Sequence, residues 1–309
     1  MFSYIISGLS VACDLTLPGL IALPDVSVEP DVIIRAGQVP EELPGASGSG
    51  PNWWMTPDRF LISVPGIIRM LMVAGRDIIY QFEGDTSPGD AAIFLSSTGF
   101  GILLQQRKRI VLHASAVRVR DQAVLFCGPS GAGKSTLAAA LVDAGYDLVT
   151  DDFCGIALED DGMPWVQPDG RQLKLWQNSI DRLSLADRKT APVRTRIEKF
   201  YVEPRAAIAA PLPLAAVYVL REARPPNAPP GIERPNIVDG ALLIRTNAYR
   251  PQLVKRMGQE QLYFQAAATI GQRSGVFTLT RPLDFKLFPT VIGWLEAHWR
   301  DLGLLEQAA

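Results

Sequence analysis

A run of nine residues, 128–136, has the types and spacing needed to hold a chain of phosphates. Residues 128–135 are Gly-Pro-Ser-Gly-Ala-Gly-Lys-Ser and match the pattern G-x-x-x-x-G-K-[ST] at every fixed position. Glycines let the backbone aim its N–H groups at an anion, the lysine reaches the terminal phosphates, and the hydroxyl can hold Mg²⁺. The motif predicts a nucleoside triphosphate site. Its expected contacts are Gly128, Pro129, Ser130, Gly131, Ala132, Gly133, Lys134, Ser135 and Thr136.

Two adjacent aspartates, Asp151 and Asp152, follow the next apolar segment, residues 146–149. That segment predicts a strand, and ligands of α/β sheets bind where strands end. Adjacent strand residues point to opposite faces, so two carboxylates can serve one site only where the backbone turns. One would face Mg²⁺ and the other would accept a proton from a hydroxyl nucleophile. The residues alone do not decide which aspartate has which role. We expect Asp151 to be the base and Asp152 to hold Mg²⁺ with Ser135. The alternative is a solvated turn.

His113 is one of two histidines in the chain and lies within residues 110–119, which predict one strand. The small residues that follow it, Ala114 to Ala116, indicate tight packing near a ligand. His113 is therefore a third catalytic candidate beside Asp151 and Lys134. The alternative is a histidine that is buried in the core.

The elements around these residues alternate between strand and helix. Residues 123–127 predict the strand that leads into the motif, and residues 136–143 predict a helix whose N-terminus faces the phosphates. Farther along we expect a strand at 214–220, an exposed proline-rich loop at 222–236, and helices at 239–256, 258–272 and 285–301.

The first part of the chain has a different pattern. Short apolar runs punctuated by Pro and Gly predict several short strands, at 4–6, 31–34, 60–64 and 78–82. A flexible loop is expected at 41–52 and a helix at 90–106. Trp53 and Trp54 follow the loop, and one of them would pack on this region or contact a substrate. We expect a small β-rich domain at 1–98 and a P-loop domain with a helical C-terminal part at 99–309.

Composition excludes several classes of protein. The chain has 309 residues, of which 48% are hydrophobic and 20% charged, as in a folded globular protein. The net charge is −2, whereas nucleic-acid-binding domains are typically basic, so we expect no nucleic acid partner. Three scattered cysteines predict no disulfide framework, and the sequence contains no apolar run long enough to span a membrane. Within the apolar residues 1–24, residues 10–13 resemble a lipoprotein cleavage site, but no Lys or Arg precedes them and Ser3, Ser7 and Gly8 interrupt the stretch. We therefore expect no signal peptide and a cytoplasmic protein.

Three segments in this order resemble the HPr kinase/phosphorylase superfamily, whose members are related in fold to phosphoenolpyruvate carboxykinase. They are Leu-His-Ala-Ser-Ala-Val at 112–117, the glycine-rich motif at 128–135, and Leu-Val-Thr-Asp-Asp at 148–152. More loosely, the whole chain is similar to HPr-kinase-like proteins of bacterial peptide-biosynthesis clusters. Those include kinases of lasso-peptide precursors.

The resemblance implies an α/β fold: an HPr kinase/PEP carboxykinase-like P-loop core with a small β-rich N-terminal domain and C-terminal helices. It implies a kinase that uses ATP and Mg²⁺ to phosphorylate a serine of a peptide or protein. Homo-oligomers are common among such proteins. The matching site positions are His113, Lys134, Ser135, Asp151 and Asp152, with His113 tuning or orienting the catalytic carboxylate.

One departure from that family concerns the acceptor. HPr kinases carry a Glu-Ile-Arg-Gly-type signature after the aspartate pair, whereas residues 194–201 here are Arg-Thr-Arg-Ile-Glu-Lys-Phe-Tyr. HPr as the acceptor, and the reverse phosphorylase reaction, are therefore in doubt. Phosphoryl transfer still needs a cation near the moving charge. The candidates are Lys174, Arg194, Arg196 and Lys199.

Two other functions stay open. The acceptor could be a small molecule, in which case we expect a closed pocket rather than an open cleft. The protein could also be a regulator that binds ATP without transferring it, although a pure binder needs neither His113 nor the aspartate pair. No motif distinguishes ATP from GTP.

Overall fold

The computed structural model describes residues 1–23, 29–159, 161–195, 197–206, 208, 210–224 and 228–307. The first eight strands are β1 (Phe2–Ile6), β2 (Leu9–Cys13), β3 (Val32–Ala36), β4 (Gly48–Gly50), β5 (Trp53–Met55), β6 (Arg59–Val64), β7 (Ile68–Val73) and β8 (Asp77–Phe82). They form one sheet in the order β1-β2-β3-β8-β7-β6-β5-β4. The expected short strands are confirmed. The loop expected at 41–52 is wrong in part, because residues 48–50 pair with β5.

A continuous helical segment follows this sheet. It consists of α1 (Pro88–Ile93), a π-helical stretch (Phe94–Gly99) and α2 (Phe100–Gln106), which confirms the helix expected at 90–106. Its apolar side chains share one core with the first sheet, because Leu95, Ile102 and Leu103 pack against strand residues. The domain boundary expected between residues 98 and 99 falls inside this segment.

The remaining strands are β9 (Ile110–Leu112), β10 (Ala114–Val119), β11 (Gln122–Cys127), β12 (Asp147–Thr150), β13 (Cys154–Leu158), β14 (Pro164–Val166), β15 (Leu173–Trp176), β16 (Lys189–Pro192), β17 (Lys199–Val202), β18 (Leu212–Glu222), β19 (Gly231–Glu233) and β20 (Val276–Arg281). Strands β15, β17 and β16 form a small sheet of their own. The others form a mixed sheet in the order β12-β10-β11-β18-β14-β13-β9, with β20 and then β19 paired beyond β18. The sequence did not predict β13 to β17, β19 or β20.

Helices cover both faces of the mixed sheet. The helices after β11 are α3 (Lys134–Asp143), α4 (Gln177–Arg182), α5 (Ile237–Thr246), α6 (Pro251–Arg256), α7 (Glu260–Arg273) and α8 (Phe288–Asp301). Successive residues of β11 separate the layers: Phe126 packs with α3 and α8, and Leu125 packs with α5 and α7. The single helix expected at 239–256 is wrong. It divides at Arg250, whose φ of 53° is left-handed, and Pro251 begins the next helix.

The strand expected at 110–119 is also wrong as a single element, and the break positions the site. Strand β9 pairs with β13, Leu112 opposite Cys154, whereas β10 pairs with β12, Ala116 opposite Thr150. His113 lies between β9 and β10, and residues 151–153 lie between β12 and β13, the strands with which β10 and β9 pair. The fold therefore places His113 opposite the aspartate pair.

The three cysteines are buried and form no disulfide, as expected. Among the helices in the described ranges, none combines the length and the apolar character needed to cross a membrane.

Candidate active site

The glycine-rich loop joins β11 to α3 and has the conformation that its glycines predict. Gly131 and Gly133 have φ values of +86° and +81°, a region that costs other residues about 1–2 kcal/mol. Gly133 is the N-cap of α3. The first N–H groups of a helix lack intrahelical acceptors and carry partial positive charge. The loop therefore presents the kind of donor group that binds phosphate.

Two cations hold the loop through its carbonyl groups. Lys134 Nζ donates to Gly128 O at 2.8 Å and to Pro129 O at 3.1 Å. Arg281 Nη2, at the end of β20, donates to Ala132 O at 2.9 Å. Burial lowers the pKa of Arg281 to about 10, so the guanidinium stays charged at neutral pH. These bonds connect the loop to the first residue of α3 and to the end of β20.

Asp151 is fully buried and accepts hydrogen bonds from three groups. Ser115 Oγ and Ser135 Oγ donate to its Oδ1 at 2.6 and 2.8 Å, and the Lys174 N–H donates to Oδ2 at 3.0 Å. The Ser135 hydroxyl and the Asp151 carboxylate are hard oxygen donors side by side, which fits Mg²⁺. Within the described residues, no three His, Cys, Asp or Glu side chains converge to hold a metal. Mg²⁺ commonly binds through one or two carboxylates together with substrate phosphates, so this donor set suits it.

Asp152 makes the backbone turn that the sequence required, with a φ of +80°. Its Oδ2 lies 2.7 Å from Lys174 Nζ, and that ammonium also donates to Ser97 Oγ at 3.1 Å. Burial alone would raise the pKa of Asp152, but the charges of Lys174 and Arg171 outweigh it and hold the pKa well below its usual range. Asp152 is therefore a carboxylate at neutral pH.

His113 lies beside both aspartates. Its backbone N–H donates to Asn247 O at 2.8 Å, which fixes the residue in the gap between β9 and β10. Burial, helped by the charge of Lys134, lowers the pKa of the ring, although the two aspartates oppose that shift. The imidazole is therefore neutral at pH 7 and has one N–H donor and one acceptor nitrogen.

Three cavities meet around these residues. The inner cavity, about 120 Å³, lies between the glycine-rich loop, the aspartate pair and Trp176. The outer cavity, about 430 Å³, lies beyond Asp152 and is bordered by Phe94 and Thr98 of the π-helical stretch. Both cavities are lined by His113, Asp152, Lys174 and Lys199. The rear cavity, about 630 Å³, lies on the other side of the loop against β18 and α5, and it shares Ser130 and Gly131 with the inner cavity.

The structure brings the predicted site residues together. The inner cavity is bordered by His113, Ser130, Gly131, Gly133, Lys134, Ser135, Thr136, Asp151 and Asp152. Pro129 and Ala132 border the rear cavity, and the Gly128 carbonyl accepts from Lys134. Among the cation candidates, Lys174 and Lys199 border both the inner and outer cavities, and Arg194 borders the outer one. Arg196 lies outside the described residues.

Sequence reasoning missed several residues of the site. Ser97 and Thr98 lie in the π-helical stretch and accept from Lys174 and Arg250. A π-helical turn often marks a functional site, but it has no signal in a single sequence. The run 276–281 could have been predicted as a strand that ends at Arg281. The contact of Arg281 with the glycine-rich loop could not have been predicted.

Comparison with known proteins gives distant structural likenesses, of which one is described below. No protein-family model and no curated protein matches the chain. Among solved structures, the protein is similar to the Hpr(Ser) kinase/phosphatase from Coxiella burnetii, with 14% sequence identity and a TM-score of 0.33. The aligned region covers 62% of this chain and 98% of that one. A likeness at this level does not establish a family, so the function proposed for the site rests on its own geometry.

Proposed function

We propose that this protein is a kinase that transfers the γ-phosphoryl group of a nucleoside triphosphate to a serine hydroxyl of a peptide or protein. One observation carries the proposal. The cavity at the phosphate-binding loop and the larger outer cavity meet at the ionised carboxylate of Asp152, where Lys174 and Lys199 supply positive charge. A donor site, an acceptor site and a base between them are what phosphoryl transfer needs.

The cavities on the two sides of the loop suit the two parts of a nucleotide, the nucleoside and the phosphates. The rear cavity of about 630 Å³ is within the range of small-molecule sites, about 300–1,000 Å³, and suits the nucleoside. The phosphates would lie on the loop N–H groups and Lys134. Mg²⁺, when bound, supplies charge neutralisation at the phosphates, and Ser135 with Asp151 would hold it. Either ATP or GTP fits this description.

The two aspartates take the opposite roles from those expected from the sequence. Asp151 borders the inner cavity, is fully buried and contacts the Ser135 hydroxyl, which suits the metal role. Asp152 borders both the inner and outer cavities, which suits the role of base. The reversal follows from the turn at Asp152, whose left-handed φ directs consecutive carboxylates to different partners.

The transfer step uses the chain's own groups. The acceptor hydroxyl gives its proton to the carboxylate of Asp152 as its oxygen bonds to the γ-phosphorus, and the bond from that phosphorus to the β,γ-bridging oxygen breaks. The products are a phosphoserine and a nucleoside diphosphate. Lys134 and Lys199 offset the negative charge that spreads over the phosphoryl oxygens. The neutral ring of His113 can donate a hydrogen bond that orients the carboxylate or the hydroxyl.

The outer cavity favours a polypeptide over a metabolite as the acceptor. It does not end in a closed pocket, because Arg250 at its margin is exposed and also borders a further cavity. A serine on an extended chain can reach Asp152 while its flanking residues lie outside.

An intact-mass assay tests the proposal. The full chain is incubated with ATP or GTP, Mg²⁺ and an acceptor, which is either a serine peptide from an arrayed library or HPr. We expect a gain of one phosphate on a peptide, with Asp152→Asn reducing the rate by about 10²–10⁴-fold. Asp147→Asn is the matched control, since Asp147 is the first residue of β12, which leads to the aspartate pair, and its carboxylate lies 3.7 Å from Arg118. Nucleotide binding without transfer to any serine would overturn the kinase assignment and favour the regulator.

A further inference from the structure

The further cavity beside Arg250, here called the side cavity, has a volume of about 420 Å³. It lies between the first sheet and α6. Its apolar wall comes from Trp53, Phe60 and Ile62 of the sheet and Ile102 of α2. The rings of Trp53 and Phe60 are stacked with their centroids 5.7 Å apart, so the buried Phe60 holds the half-buried Trp53 at the wall of the cavity.

Arg250 joins the side cavity to the outer cavity. Arg250 has a left-handed backbone conformation and immediately precedes α6. Its Nη2 donates to Thr98 Oγ1 at 2.8 Å. Arg250 borders both the outer cavity and the side cavity, so the two cavities adjoin at this residue. The path that we infer for a chain with its serine at Asp152 runs past Arg250 to the side cavity.

The path carries positive charge that the described part of the chain does not neutralise. The side cavity is bordered by Arg250 and Arg256, and no carboxylate among the described residues lines it. Arg256 lies over the Trp53 ring, 4.4 Å from its centroid, so this contact holds the cation at the wall of the cavity. In the described ranges, no Asp or Glu forms an ion pair with Arg250, Arg256, Arg194 or Lys199.

We propose that the side cavity binds an acidic segment of the acceptor polypeptide, a few residues from the phosphorylated serine. The carboxylates of that segment pair with Arg250 and Arg256, and an apolar side chain packs against the exposed part of Trp53. The inference rests on the proposed kinase function and names its substrate class. Charge complementarity selects this occupant, because the guanidinium groups of arginines pair with carboxylates through two parallel hydrogen bonds.

Binding is tested separately from transfer. The probes are fluorescent peptides with alanine in place of serine and with Asp, Lys or Leu at each flanking position, titrated against the full chain. We expect an Asp peptide to bind at least about tenfold more tightly than its Lys counterpart at one position. Arg256→Glu should invert that ranking. Lys255→Glu makes the same charge change on the same helix outside the cavity and should leave the ranking unchanged.

The outcomes distinguish the two proposals. Binding that does not depend on flanking charge in the wild-type protein, or a ranking that Arg256→Glu leaves unchanged, would overturn the acidic docking site whether or not the protein is a kinase. An acidic preference that Arg256→Glu inverts supports the site even if no serine is phosphorylated, in which case the kinase proposal alone fails. The wild-type comparison needs no variant, so an unfolded variant cannot hide the result.

Discussion

The ammonium of Lys174 lies 2.7 Å from the carboxylate of Asp152, at the boundary between the inner and outer cavities. Lys174 comes from β15 of the small sheet, and its backbone N–H donates to the other aspartate, Asp151. One residue therefore contacts both carboxylates, through its main chain and through its side chain. This arrangement ties the small sheet to the site and keeps Asp152 ionised.

Replacing Lys174 by methionine should raise the pKa of Asp152. The lowered pKa in the folded protein means that the ionised form is favoured at neutral pH, and that this preference is lost as the pH falls through the folded-state value. In Lys174→Met, the acidic limb of kcat/KM should move to higher pH. The profile would be recorded from about pH 4 to about pH 8. Lys189→Met, which removes a charge from the same small sheet outside the three cavities, should not move the limb.

The His113 ring should titrate below about pH 6.5, because burial and Lys134 disfavour its charged form. A group with a lowered folded-state pKa contributes stability that is complete above its unfolded pKa and is lost as the pH falls through its folded pKa. The chain has two histidines, so NMR with His298→Asn can assign both ring signals. Asp152→Asn should lower the pKa of His113 further, since the Asp152 charge raises it. A His113 signal that titrates above about pH 6.5 would contradict the assignment.

Gly133→Ala should lower the free energy of unfolding and the nucleotide affinity more than Gly131→Ala does. Both glycines have a left-handed φ, so each alanine costs about 1–2 kcal/mol of unfolding free energy. A Cβ at Gly133 would also lie 2.5 Å from Arg281 Nη2, whereas a Cβ at Gly131 would meet no atom within 4 Å. Urea unfolding and nucleotide affinity of the two variants measure the difference. Equal losses would show that the contact with Arg281 does not constrain the loop.

Ser115→Ala should weaken Mg²⁺ binding without removing a ligand. Ser115 Oγ donates to Asp151 Oδ1 at 2.6 Å, so its loss leaves the buried carboxylate less firmly oriented toward Ser135. Groups that orient a metal ligand typically contribute about 10–100-fold in metal affinity or activity. A Mg²⁺ titration of nucleotide binding checks this, with Ser63→Ala on the first sheet as the control. An unchanged titration would argue against Asp151 as the metal residue.

Several elements were predictable because their signal is local. The loop at 128–135 carries its own turn chemistry, β11 is a short continuous apolar run that leads into it, and α8 has the apolar periodicity of an amphipathic helix. The gap at His113 was not predictable, because both β9 and β10 are apolar and only their different partners separate them. The short strands β15 to β17 carry Lys174 and Lys199, which look like surface charges in a sequence.

Local patterns in the sequence were enough to predict that a phosphate-binding loop leads from a strand into a helix, and that two carboxylates end the following strand. Both features depend on residues adjacent in the chain, so local geometry suffices. The other contacts of the site depend on how distant segments pack. The contacts of Lys174 with Ser97, of Arg281 with the loop and of Arg250 with Thr98 join residues 77, 149 and 152 positions apart. No local pattern encodes such contacts, because they form only when separate layers pack together.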